Sequence, residues 1–266
     1  MTKANRWQTI YLAVFFVILY LPVLSVILYS FNANPSTAKW TGLTLDWYRE
    51  LFDDLKKHAT GEALVVSIQV AVLTAALSAV LGTAAAIVSQ SLSERMKKAV
   101  QWVMLLPLLV PEVALGVSLL MFFNALRLPF GHLTLVLSHS LFCVPYVYVM
   151  VRLRLAEIDR EVIESARDLG ATRWQAVRTI ILPLVMPSII TASLLAIAMS
   201  LDDVVISTYM SGPRTTTLPV HIFSMMRVGV TPKVNALCTL ILLGTFLIIG
   251  LNQVVSMKSK TRELSN

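Results

Sequence analysis

The sequence predicts an all-α membrane protein, one transmembrane domain over residues 1–266 with six transmembrane helices, and three observations carry the prediction. Of the 266 residues 56% are hydrophobic and only 14% charged, for a mean hydropathy of +0.74, well above that of a water-soluble domain. Six apolar runs, at about 10–30, 63–89, 101–125, 133–151, 183–207 and 235–257, can each cross about 30 Å of hydrocarbon at about 1.5 Å per residue. The connecting segments, finally, alternate in basic residues. Fourteen Lys and Arg lie in the termini, 90–100 and 152–182, against eight in 31–62, 126–132 and 208–234. The positive-inside rule then predicts cytoplasmic termini, and the net charge of +7 marks a membrane face instead of a nucleic-acid partner.

The first run, "IYLAVFFVILYLPVLSVILYS", is too long for a signal-peptide core and has no small-residue cleavage site after it, so it is expected to stay in the mature chain. The outer segment 31–62 carries Trp40, Trp47 and Tyr48 with the acids Asp46, Glu50, Asp53, Asp54 and Glu62. It fits two roles, an interfacial aromatic belt with a solvated loop or a docking surface for an extracytoplasmic partner. In the third run, "LLPLLVPEVALG" places Pro107 and Pro111 just before Glu112. Proline frees backbone carbonyls, and broken transporter helices tend to line a cavity, which makes Glu112 a candidate for the substrate path. Cys143 and Cys238 lie in apolar runs without paired spacing and read as buried spectators. His58, His132, His139 and His221 lack metal-ligand spacing and read as bystanders.

The inner segment about 157–182 mixes acids and bases. Ile158, Val162, Ser165, Ala166 and Leu169 recur at the spacing of one face of a short amphipathic helix. Gly170 follows where a helix end needs a left-handed residue, and a second helical stretch, "ATRWQAVRTIIL", runs up to Pro183. This elbow presents small residues to which another protein can approach closely. A helix resting on lipid headgroups would carry Lys and Arg on its polar face, whereas this one carries Glu157, Asp159, Glu161, Glu164 and Asp168.

Glu164-Ser165-Ala166, three residues, Gly170, nine residues and Ile180-Ile181-Leu182-Pro183 resemble the E-A-A-x3-G-x9-I-x-L-P pattern of the permease subunits of bacterial binding-protein-dependent ABC importers. The departure is Ser165, a small residue, where the pattern has its first alanine. The resemblance covers nearly the whole chain: "FNANPSTAKWTGLTLDWY", "SHSLFCVPYVYVMVRLRL", "SLDDVVIS", "SGPRTTTLP" and "RVGVTPKVNAL" are similar to the second permease subunit of spermidine and putrescine importers. It implies the type I ABC importer membrane-domain fold, a first helix wrapped on a five-helix core, in the inner membrane. It implies as partners a homologous second permease, a dimer of ATP-binding subunits that carries the ATP and Mg, and a periplasmic polyamine-binding protein. It also implies that the elbow is the coupling helix, with Glu164, Ser165, Ala166 and Gly170 meeting the ATPase.

The run "LLAIAMSLDDVVISTYM" then sets Asp202 and Asp203 within an apolar span, where an uncompensated carboxylate costs about 3 kcal/mol or more. A cargo with two or three ammonium groups is one compensation, since carboxylates along its route replace part of its lost hydration. On a continuous helix Ser193, Ser200, Asp203 and Ser207 would lie within about 80° of one another, with Asp202 about 100° away. Other readings remain on the same residues. Each carboxylate can instead pair with an Arg of another subunit, and an ABC permease for an anion or a ferric ion is a different cargo class, the anion disfavoured by the carboxylates. A secondary transporter would be expected to show internal repeats, and none is evident. A membrane enzyme would need a phosphate-binding loop or a nucleophile with its base, and the sequence has neither pattern. ATP hydrolysis is therefore expected on a separate chain.

Overall fold

The computed structural model of the protein describes residues 6–57, 59–168 and 170–244, and apart from an isolated bridge between Asn32 and Leu43 its described elements are helical. The chain divides into two compact units, one of residues 1–59 with 222–266 and one of residues 60–221.

In the first unit, α1 (Arg6–Tyr29) is apolar on every side and exposed along its length. A helix with no polar face suits lipid or a neighbouring subunit. The chain then turns through residues 30–45 around the buried Asn32, whose side-chain amide donates to the Lys39 carbonyl at 2.8 Å. The amphipathic α2 (Asp46–Lys57) closes this turn. Its Trp47 indole N–H donates to the Asn32 carbonyl at 2.8 Å, and its Tyr48 hydroxyl meets the Ser30 hydroxyl at 2.6 Å. Two of the three aromatics flagged in 31–62 thus anchor their own segment, while Trp40 stays exposed. In the same unit Lys233, at the start of α12 (Pro232–Gly244), bridges Glu50 at 2.7 Å and Asp54 at 2.5 Å on α2.

The second unit holds the long helices α3 (Ala59–Gln90) and α6 (His132–Ala156). α3 buries a stripe of small residues, among them Ala71, Ala75, Ser78, Gly82 and Ala86. Without a hydrophobic driving force in lipid, close backbone approach is what holds such helices together. A Cβ on Gly82 would sit 2.7 Å from the Val147 Cβ of α6, so only glycine allows this crossing. Between them in sequence, α4 (Glu94–Leu109) and α5 (Glu112–Ala125) form an apolar helix pair bent by 103° at a short break. Val110 is extended and Pro111 has no N–H, so the last carbonyls of α4 have no helical partner there.

After α6 come α7 (Arg160–Asp168) and α8 (Arg173–Ala176), then a π-helical turn, Val177–Ile181, that runs into α9 (Leu182–Asp202). The turn widens where Pro183 cannot donate: the Leu182 N–H reaches back to the Val177 carbonyl. α9 stops at Asp203, whose backbone is extended, and a short α10 (Val205–Met210) follows before α11 (Leu218–Val228). The fifth expected span is therefore not continuous. Asp203 lies in the break, and the stripe predicted on an unbroken helix separates: the Ser193 hydroxyl donates to its own helix at the Ile189 carbonyl, while Ser200 and Ser207 flank the break.

Among the described residues four helical runs, Arg173–Asp202 the last of them, are long and apolar enough to cross a membrane, and the bent pair makes a fifth if its two helices count as one span. Of the sixth expected span only α12 falls among the described residues, and the rest of 235–257 lies outside them.

Candidate functional site

The two helix breaks of the second unit meet at a cavity of about 450 Å³. From the α4–α5 break come Pro107, Val110 and Glu112, and from the α9–α10 break Asp202, Asp203 and Val205; Phe142 and Tyr146 of α6 complete the wall. The three carboxylates singled out in the sequence therefore converge, although they are 90 and 91 positions apart along the chain. Glu112 lies within electrostatic reach of both aspartates. Glu112 and Asp202 are exposed, and among the described residues neither is ion-paired with a cation. Such a wall favours a cation with an apolar body: carboxylates for its charges, and aromatic faces and aliphatic carbon for its stem.

Asp203 differs from its neighbour. Its side chain is 2% exposed and turned into the protein, where the carboxylate accepts from the Ser207 N–H at 2.6 Å and the Ile206 N–H at 3.3 Å. These are donors of the first turn of α10, so Asp203, one residue before Val204 at the N-cap, covers that end of the helix. The fully buried His139 lies on its other side, with Nε2 3.2 Å from Asp203 Oδ2 and 3.0 Å from Ser207 Oγ, and Nδ1 2.7 Å from Ser200 Oγ. The sequence reading of His139 as a bystander is corrected here. It lacks metal spacing because its partners are hydroxyls and a carboxylate, and among the described residues no cluster of three metal-binding side chains forms. The available signal was a histidine within the apolar run that precedes Phe142, which has to find polar partners once buried. Of the other histidines, His132 meets Gln69 and His221 meets Thr60, and His58 lies outside the described residues.

At the elbow, α7 begins at Arg160, two residues after the first position of the predicted apolar face. Ile158 packs into the core formed by α3, α6 and α9, whereas Val162 is 47% exposed and Ser165 is also exposed; Leu169 lies outside the described residues. The helix is closed as the sequence predicts. Gly170 takes the left-handed φ of 91°, and the Ala171 N–H donates to the Ala166 carbonyl at 3.0 Å, the long bond of a Schellman close. Thr172 then caps α8 in a reciprocal box with Gln175. Glu164, Asp168 and Gly170 border an open depression of about 450 Å³. A face of small and acidic residues is left uncovered by the chain's own described residues.

Comparison with known proteins places the chain in a family. Residues 78–258 match the family described as "Binding-protein-dependent transport system inner membrane component". The chain is 41% identical over 253 residues to the "Putrescine transport system permease protein PotI" of Escherichia coli strain K12, covering 92% of this chain and 89% of that protein. It is 34% identical over 249 residues to the "Spermidine/putrescine transport system permease protein PotC" of Haemophilus influenzae, covering 94% and 96%. In fold it is similar to a chain of a bacterial ABC transporter involved in the import of the acidic polysaccharide alginate, with a TM-score of 0.72 at 13% identity over 95% of this chain and 98% of that one. A second structure of the alginate transporter, in complex with an alginate pentasaccharide-bound periplasmic protein, matches with a TM-score of 0.69 at 17% identity over 92% of both chains. With a family match over most of its length and relatives that span nearly all of it, the chain belongs to the inner membrane components of binding-protein-dependent transport systems.

Proposed function

We propose that this chain is the membrane-spanning permease subunit of an ATP-driven polyamine importer, taking putrescine or spermidine inward along Glu112, Asp202 and Asp203. The observation that carries the reading is the cavity between the two helix breaks: two exposed carboxylates without a cation partner among the described residues, a third at its edge, and apolar or aromatic walls between them. A polyamine is complementary to it, with ammonium groups for the carboxylates and methylenes for the walls. The names of the relatives at 41% and 34% identity support the same cargo class.

The chain supplies half of the path and a second, homologous permease the other half. A periplasmic polyamine-binding protein delivers the cargo to the outer side. ATP and Mg bind a pair of separate ATPase subunits, which this chain meets through Glu164, Ser165, Ala166 and Gly170 at the elbow. That arrangement requires the elbow and both termini to lie in the cytoplasm.

The test is uptake of labelled putrescine and of labelled spermidine by cells lacking this gene, with and without a plasmid that restores it. Restored uptake of either, abolished by Glu164→Lys while the chain still reaches the membrane, is the expected result. No change in uptake of either polyamine would overturn the cargo, and full uptake with Glu164→Lys would overturn the coupling role.

A further inference from the structure

We propose that His139 is a positioning residue for transport: it staples the two halves of the broken fifth span, so that Asp203 is held inward over the start of α10 while Asp202 faces the cavity. The inference rests on the cargo reading only for its transport consequence. The staple itself stands on geometry.

The imidazole is fully buried on α6 and reaches both sides of the break, Ser200 before it and Ser207 after it, with Asp203 between them. A carboxylate only accepts hydrogen bonds, so a neutral ring beside an ionised Asp203 carries its hydrogen on Nε2, and Nδ1 is left to accept from the Ser200 hydroxyl. Every polar atom of the ring then has a use, and every partner lies within four residues of the break. No proline or glycine between Ser200 and Met210 stops the helix at Asp203. The buried donors of α10 and the turned-in carboxylate are the interactions that hold it open. If the staple is lost, Asp203 loses its fixed direction and Asp202, one residue back along the chain, loses its own. Buried networks of this kind act as units, because a partly satisfied one is costly.

The experiment uses the assembled importer, purified with its partner subunits, and four variants of His139 and Ser207. His139→Leu removes all three bonds, His139→Gln can reproduce the Nε2 side, His139→Asn only the Nδ1 side, and Ser207→Ala removes one partner without touching the ring. Hydrogen–deuterium exchange over residues 200–210 is read in each, together with polyamine uptake per assembled complex. His139→Leu should raise exchange at the Ile206 and Ser207 amides at least about tenfold and lower uptake per complex by at least about tenfold. His139→Gln should restore most of both and His139→Asn should not, an order that a general loss of packing would not produce. Should His139→Leu fail to assemble, Ser207→Ala carries the exchange test, with a smaller rise expected at the same amides. Unchanged exchange in the leucine variant, or in Ser207→Ala where that one stands in, or equal behaviour of the Gln and Asn variants, would overturn the staple. A wild-type complex that moves no polyamine, with the exchange results as expected, would overturn the cargo and leave the staple standing.

Discussion

Asp202 and Asp203 are neighbours with opposite surroundings, and their substitutions should separate accordingly. Asp203 has a nearly inaccessible carboxylate held by two backbone N–H groups and His139, so Asp203→Ala removes a buried acceptor that covers a helix end, a change that costs about 1–2 kcal/mol. Asp202 is exposed at the cavity, and Asp202→Asn removes charge without removing structure. The expected pattern is a lower melting temperature of the complex with Asp203→Ala, an unchanged one with Asp202→Asn and with Glu112→Gln, and reduced polyamine uptake in all three. Asp203→Asn keeps an acceptor for the α10 amides, so it should assemble normally and still impair uptake. Unimpaired uptake with Asp202→Asn would remove that residue from the path. Sequence alone singled out all three carboxylates, because a charge in an apolar run needs a reason. It could not rank the aspartates, since the ranking depends on which one the backbone turns inward, and that is decided by a histidine more than sixty positions away.

Among the elements, the elbow was the most legible and the broken spans the least. Gly170 after an amphipathic face is a local signal with a local cause, and the helix close stands where it points. The α4–α5 break was half legible through Pro107 and Pro111. The α9–α10 break was not, because uniform apolarity reports the length of a span and is silent on where its hydrogen bonds stop. Its only traces are an aspartate, a common helix cap, and the β-branched Val204, Val205 and Ile206, which are weak helix formers. The Gly170 close also makes a prediction that size alone would get wrong. A Cβ there would meet nothing within 4 Å, so the restriction is the left-handed backbone, which costs an ordinary residue about 1–2 kcal/mol. Asparagine tolerates that conformation better than alanine or valine. Transport-coupled ATPase activity of the assembled importer should therefore fall in the order Gly, Asn, Ala, Val. An order by side-chain size, with Ala above Asn, would mean that the partner's proximity limits this position and not its backbone.

For the whole molecule, orientation in the membrane is the property on which the proposed mechanism turns, and it follows from charge placement. Six of the fourteen basic residues on the predicted inner side lie in 152–182, around the elbow, whereas the predicted outer segment 31–62 combines four with five acids. Basic residues near span ends resist translocation, so the elbow should be cytoplasmic and the Asn32-centred turn outside. The fold allows a clean test. Both native cysteines, Cys143 and Cys238, are free and at least partly buried within helices, and replacing them by alanine removes the background thiols. On that background Ser36→Cys and Arg173→Cys place single thiols at exposed positions of the two segments. A membrane-impermeant maleimide applied to spheroplasts should label Ser36→Cys at once, and Arg173→Cys only after the membrane is opened. The reverse pattern would put Glu164 and Gly170 on the side without ATP, and no ATPase could then act through them. The two aspartates would still line their cavity, but the force that drives cargo past them would have to enter through another part of the chain.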